Sequence, residues 1–166
     1  MGCTTSVARS CAEEARLGFM SRMLTRAIII AAQAHSGQTD KGGRPYILHP
    51  LRVMMNQLAD LEQICAVLHD VIEDSAVSLE DLRIEGFDEE VLRTLELLTN
   101  RDKGSSYDAF IKRICESGNQ AALRIKLADL EDNLDSTRIA LLSPADKARV
   151  EKYSMSRDKI VAALKG

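Results

Sequence analysis

Tryptophan is absent from this chain of 166 residues, and three tyrosines and three phenylalanines make up its whole aromatic complement. Aromatic and β-branched residues build strands, and no period-two alternation of them is sustained anywhere, which excludes a β-rich class. Long apolar runs are missing too. The longest, Ala27 to Ala32, is far below the ~20 residues that cross a bilayer, so no membrane partner is expected. Basic residues do not outnumber acidic ones. A count of 22 against 25 gives a net charge of −3 and leaves no electrostatic footprint for a nucleic-acid polymer.

Cysteine pairing motifs are also lacking. Cys3, Cys11, Cys65 and Cys115 form no C-x-x-C and no zinc-ribbon spacing, and Cys65 and Cys115 sit in apolar helical runs as small hydrophobes do. No secretory apolar segment follows the start, so a reducing, cytoplasmic location is expected. Gly2-Cys3 satisfies the loose acylation pattern, but no other feature supports it. Residues 1–16 are read as a flexible N-terminal tail, and 17–166 as one domain, the size that a single core serves.

What the chain has is helix. Leu17 to Ala34 predicts a first long helix, with Ile28-Ile29-Ile30 relying on burial rather than propensity. Three glycines between Gly37 and Arg44 mark a loop. Pro50 predicts a helix start near His49 that runs to Leu58, and Leu61 to Asp74 predicts a third helix. Ser78 to Asp81 resembles a capping box ahead of a short helix ended by Gly86. Further helices are expected over Asp88–Thr99, Ser106–Glu116 and Gln120–Ile139, and a last one from the Ser143-Pro144 start signal toward Leu164. The expectation is an all-α bundle of about eight helices.

Chemistry concentrates in three places. His69-Asp70 interrupts the apolar run Ile64 to Ile72, followed at once by Glu73 and Asp74. Ionisable groups in such a run are costly unless paired or bound to a cation. On one continuous helix, Asp70 and Asp74 would share a face, as would His69 and Glu73. A surface turn with a capping acid fits less well, because Asp70 precedes Val71-Ile72. In the second cluster, Asp129, Asn133 and Ser136 share a face beside the stripe of Leu123, Leu127, Leu130 and Leu134. His49, at a loop-to-helix junction beside Pro50, completes the set. Two imidazoles and two carboxylates suit one first-row divalent metal.

With Ala34-His35-Ser36-Gly37-Gln38, Pro45 to Pro50, Leu68 to Asp74, and Lys126-Leu127-Ala128-Asp129 with Asn133, the chain resembles the HD-domain metal-dependent phosphohydrolases. Within them it is similar to the RelA/SpoT hydrolase domain and the small alarmone hydrolases, from about Ala27 to Tyr153. The resemblance implies an HD-domain bundle around one metal site, with His49, His69, Asp70 and Asp129 holding a divalent ion, usually Mn²⁺. It implies that Glu73 and Asp74 orient and deprotonate water, and that Lys41, Asn133, Arg149 and Tyr153 contact a small-molecule nucleotide. His35 is implied to pack near the site rather than ligate. The implied function is a guanosine-3′,5′-bis(diphosphate) 3′-pyrophosphohydrolase of the stringent response. The alternatives are an HD phosphohydrolase of another phosphorylated nucleotide and a non-catalytic nucleotide sensor. Since the resemblance covers a hydrolase alone, degradation rather than synthesis of an alarmone is expected.

Departures from the family bear on the substrate. Asp40 stands where an arginine is common, Asp132 where a histidine is usual, and Asp135 where an arginine follows; Arg44 stands where an acid is frequent. Replacing Arg by Asp removes two positive charges, so weaker binding of a five-phosphate nucleotide is expected.

Overall fold

The computed structural model describes residues 4–100, 104, 106–135 and 144–166. Among the described residues there are nine helical segments and no strand: α1 (Thr4–Ala34), α2 (Leu48–Met55), α3 (Asp60–Leu68), α4 (Val71–Asp74), α5 (Leu79–Ile84), α6 (Glu89–Leu98), α7 (Tyr107–Glu116), α8 (Gln120–Leu134) and α9 (Pro144–Lys165). One isolated β-bridge joins Thr39 to Pro45 across the glycine loop. The all-α expectation holds, and α4 is only a single turn.

Helix α2 ends at Met55 rather than Leu58, and three other departures from expectation have a local reason. Helix α1 begins at Thr4 rather than Leu17, so residues 4–16 are helical where a tail was expected. Ala, Arg, Glu and Leu dominate residues 12–17, and all are strong helix formers. Helix α2 begins at Leu48, placing Pro50 inside its first turn, where a missing N–H costs nothing. The expected single helix over Leu61–Asp74 is broken at His69-Asp70. There the His69 side chain donates Nδ1–H to the Ala66 carbonyl at 2.7 Å. Asp70 then serves as N-cap of α4, its carbonyl accepting from the N–H groups of Glu73 and Asp74. Gly2 and Cys3, Ser136, the helical run expected to reach Ile139, and the Ser143 cap lie outside the described residues.

Helix α3 is the centre of the core. Every residue from Ile64 to Leu68 is buried, as in a helix that others enclose on all sides, and α1, α2, α6 and α8 pack around it. Helix α8 packs in turn against α9, α2, α6 and α7, burying Leu123, Ile125 and Leu130. Buried Glu62 of α3 accepts from Arg124 Nε of α8 at 2.7 Å, a polar tie between the two central helices. The capping box expected at Ser78 is present, and two further helix starts carry side-chain caps. Ser78 and Asp81 form a reciprocal capping box at α5, and Ser106 and Asn119 cap α7 and α8, each cap contributing about 1 kcal/mol. This packing brings the first turn of α2, the α3–α4 break and the middle of α8 together.

Candidate metal centre

Three elements meet with their polar groups pointing inward. His49, from the first turn of α2, is 3 % exposed; His69, at the α3–α4 break, is equally buried; Asp129 comes from α8. Atoms of His49, His69 and Asp70 all lie within 4.8 Å of one another. His49 Nε2 is 3.2 Å from Asp129 Oδ1 and 3.6 Å from Asp70 Oδ2. His69 Nε2 is 3.1 Å from Asp70 Oδ2 and 3.7 Å from Asp129 Oδ1. The four residues expected to converge therefore do so, although His69 and Asp70 reach the centre from a break and not from one helical face.

The donor set fits a divalent cation on its own terms. In the neutral ring, with the His69 Nδ1–H given to Ala66, the lone pair sits on Nε2, which is buried and makes no hydrogen bond although Asp70 Oδ2 lies 3.1 Å away. A lone pair buried against two carboxylates calls for a shared proton or a cation between them. Two imidazoles with two carboxylates make a borderline donor set suited to Mn, Fe, Co or Zn.

The carboxylates of this cluster act on the protonation of both imidazoles. Burial disfavours the imidazolium form of both histidines, but the carboxylates outweigh it. Asp129 and Asp132 raise His49, and the charge of Asp70 raises His69 well above its ordinary value. Burial likewise opposes ionisation of Asp70 and Asp129, yet His69 lowers the first and Lys126 and both histidines lower the second. A raised imidazole pKa contributes stability that is complete below the unfolded value near 6.5 and is lost as pH rises through the folded value. The depressed carboxylates contribute nothing to a change above pH 6. In chelator, the chain is therefore expected to melt higher at pH 6 than at pH 8, by a few degrees at about 2–4 °C per kcal/mol. A flat or reversed profile would reject this proton sharing.

Two cavities adjoin the centre. One, of about 280 Å³, is lined by Thr39, Asp40, Lys41, Tyr46, His49, Asp132, Asn133, Arg149 and Tyr153. All four residues expected to contact a nucleotide face it. The other, of about 220 Å³, shares Tyr46, Asn133 and Tyr153 and adds Asp70, Glu73, Asn100, Tyr107, Lys126 and Asp129 among its walls. Glu73 lines this second cavity and Asp74 lines neither. Burial, reinforced by Asp70, raises the pKa of both carboxyls; at Glu73 the backbone N–H of Asn100 opposes the rise. His35 is buried with Nδ1 2.8 Å from Gln38 Oε1 and its ring beside Tyr46, outside the ligand cluster.

Three residues at this centre carried no role in the sequence. Tyr46 donates its hydroxyl to Asp70 Oδ2 at 2.6 Å and borders both cavities. Lys126, buried over the rings of Tyr107 and Phe110, holds Asp129 Oδ2 at 2.7 Å. Arg52 binds Asp132 through two nitrogens. Helical spacing from His49 would have pointed to Arg52, whereas the other two need the fold.

The acidic departures also look different in place. The Asp132 carboxylate does not face the first cavity as a free charge, because it is engaged by His49 and Arg52. Asp40 Oδ1 accepts from the N–H groups of Gly42 and Arg44, both at 2.9 Å, and so pins the loop. Asp40 and Asp135, with Asp132, act on the same Arg52.

No protein-family model matches the chain. A guanosine-3′,5′-bis(diphosphate) 3′-pyrophosphohydrolase of Vibrio cholerae is 32% identical over 144 residues, 80% of this chain and 20% of that protein. The bifunctional (p)ppGpp synthase/hydrolase SpoT of Escherichia coli K12 is 30% identical over 81% of this chain and 20% of its own length. A probable GTP pyrophosphokinase of Mycobacterium leprae is 34% identical over 86% and 19%. The chain thus spans about a fifth of the length of these relatives. A solved structure, described as a metazoan ortholog of SpoT that hydrolyzes ppGpp and plays a role in starvation responses, superimposes with a TM-score of 0.70. It is 26% identical, and the match covers 87% of this chain and 86% of that one.

Proposed function

Starting from the chain's being a RelA/SpoT hydrolase-like domain, we propose that it removes the 3′-pyrophosphate of guanosine 3′,5′-bis(diphosphate), using one divalent ion, Mn²⁺. The observation that carries this reading is the convergence of His49, His69, Asp70 and Asp129 around a buried, unpartnered nitrogen. When bound there, the cation supplies charge neutralisation at a phosphoryl oxygen and acidifies water.

The chain's own residues supply the rest. Water adds to the phosphorus attached to O3′, the P–O3′ bond breaks, and pyrophosphate departs while the 3′-oxygen takes a proton from solvent to become the hydroxyl. Glu73, with its pKa raised by burial, accepts the proton of the attacking water as a general base, and Asp74 orients that water. Lys41 and Arg149 attract the phosphates, while Asn133 and Tyr153 position the nucleoside. Lys126 offsets the charge of Asp129 from the second cavity.

A second reading keeps this reaction and changes the nucleotide. It is favoured by the negative charges of Asp40, Asp132 and Asp135, all of which act on Arg52, since acid beside a phosphate-binding cavity suits fewer phosphates. A panel of nucleotides assayed with Mn²⁺, scoring pyrophosphate against orthophosphate, tests both. Pyrophosphate release from (p)ppGpp, abolished by chelator and restored by Mn²⁺, is expected; chelator-resistant turnover would discard the metal mechanism. Release from a less charged nucleotide alone would select the second reading.

A further inference from the structure

The two imidazoles of the centre are oriented differently. His69 gives its Nδ1–H to a neutral backbone carbonyl. His49 Nδ1 instead lies 2.6 Å from Asp132 Oδ2, with both side chains almost fully buried. Arg52, one helical turn along α2 from His49, holds that same carboxylate through Nε to Oδ1 at 2.6 Å and Nη2 to Oδ2 at 3.1 Å. A guanidinium fork fixes a carboxylate in position as well as in charge.

We propose that Asp132, clamped by Arg52, is the positioning residue of the metal centre: it fixes the His49 tautomer and ring so that Nε2 presents its lone pair to the ion. The inference rests on reading His49, His69, Asp70 and Asp129 as a metal centre. A carboxylate accepting the distal N–H of a ligand imidazole orients the ring and makes it a stronger donor, and losing such a partner lowers metal affinity roughly 10–100-fold. Arg52 offsets the cost of burying that carboxylate. The clamp also ties α2 to α8, the helices that carry His49 and Asp129. Asp132 would act on the ion through His49, and it is not one of the four residues that converge at the centre.

The test is Mn²⁺ binding to the purified chain at fixed pH, without nucleotide, by titration calorimetry, with Co²⁺ absorption as a second probe. Asp132→Asn is expected to weaken Mn²⁺ roughly 10–100-fold and to change the Co²⁺ spectrum, since the amide is neutral and its NH₂ sets a donor against His49 Nδ1 or Arg52 Nε, where a carboxylate oxygen now accepts. Arg52→Gln leaves the carboxylate in place but frees it, and a smaller loss is expected; it also serves should Asp132→Asn fail to fold. A variant that melts lower in chelator yet binds Mn²⁺ as tightly as the unsubstituted chain shows a structural role only and overturns the proposal alone. No Mn²⁺ binding by the unsubstituted chain overturns it together with the metal-centre reading.

Discussion

Asp70→Ala is expected to yield a chain that purifies without bound metal and has no measurable phosphohydrolase activity. Asp70 Oδ2 lies within reach of both imidazole nitrogens, 3.1 Å from His69 and 3.6 Å from His49. Removing it leaves Asp129 as the one carboxylate among the four converging residues, and Asp129 is already shared with Lys126 and Asn133. Losing an orienting neighbour alone costs 10–100-fold in metal affinity, so losing a ligand carboxylate should exceed roughly 100-fold. The Tyr46 hydroxyl also loses its acceptor, at about 1–3 kcal/mol if left unpaired. Tyr46→Phe is the control that separates the two effects. Metal content by mass spectrometry, beside thermal melting in chelator, reads the outcome, and unchanged metal content would reassign the site.

Glu73→Ala separates a hydrolase from a protein that only binds its nucleotide. A proton-accepting carboxylate contributes typically 10²–10⁴-fold, so kcat should fall by roughly that factor while Mn²⁺ and nucleotide affinity change little. Glu73 Oε1 also accepts the Asn100 backbone N–H at 2.5 Å, which gives the residue a structural part as well. Glu73→Gln keeps that acceptor and removes the base. An equal loss of kcat in both variants with normal melting assigns the effect to proton transfer. If both variants turn over at the full rate, the base lies elsewhere, with Asp74 the next carboxyl along the chain.

Helix content was legible because it depends on local information. Ser78 with Asp81, Ser106 and the periodic apolar positions of α6 each specify their element within a few residues. The failures were also local in origin. A helical pattern ran unbroken through Leu61–Asp74, but one side-chain hydrogen bond from His69 to Ala66 diverted the backbone. Periodicity counts residue types and cannot register a donor that competes for a carbonyl. Similarly, Asp132 read as charge lost from a nucleotide pocket, because charge in a sequence has no direction.

The amino-acid order by itself determined the all-helical class and pointed to two histidines and two aspartates in three separate segments, since composition, periodicity and motif spacing are properties of the chain. Only the tertiary structure decided which oxygen faces which nitrogen, that Glu73 lines the second cavity while Asp74 lines neither of the two, and that Arg52 holds Asp132. Those relations join residues as far as 83 positions apart. They exist only once α2, α3 and α8 pack against one another and exclude the water that would otherwise screen each charge.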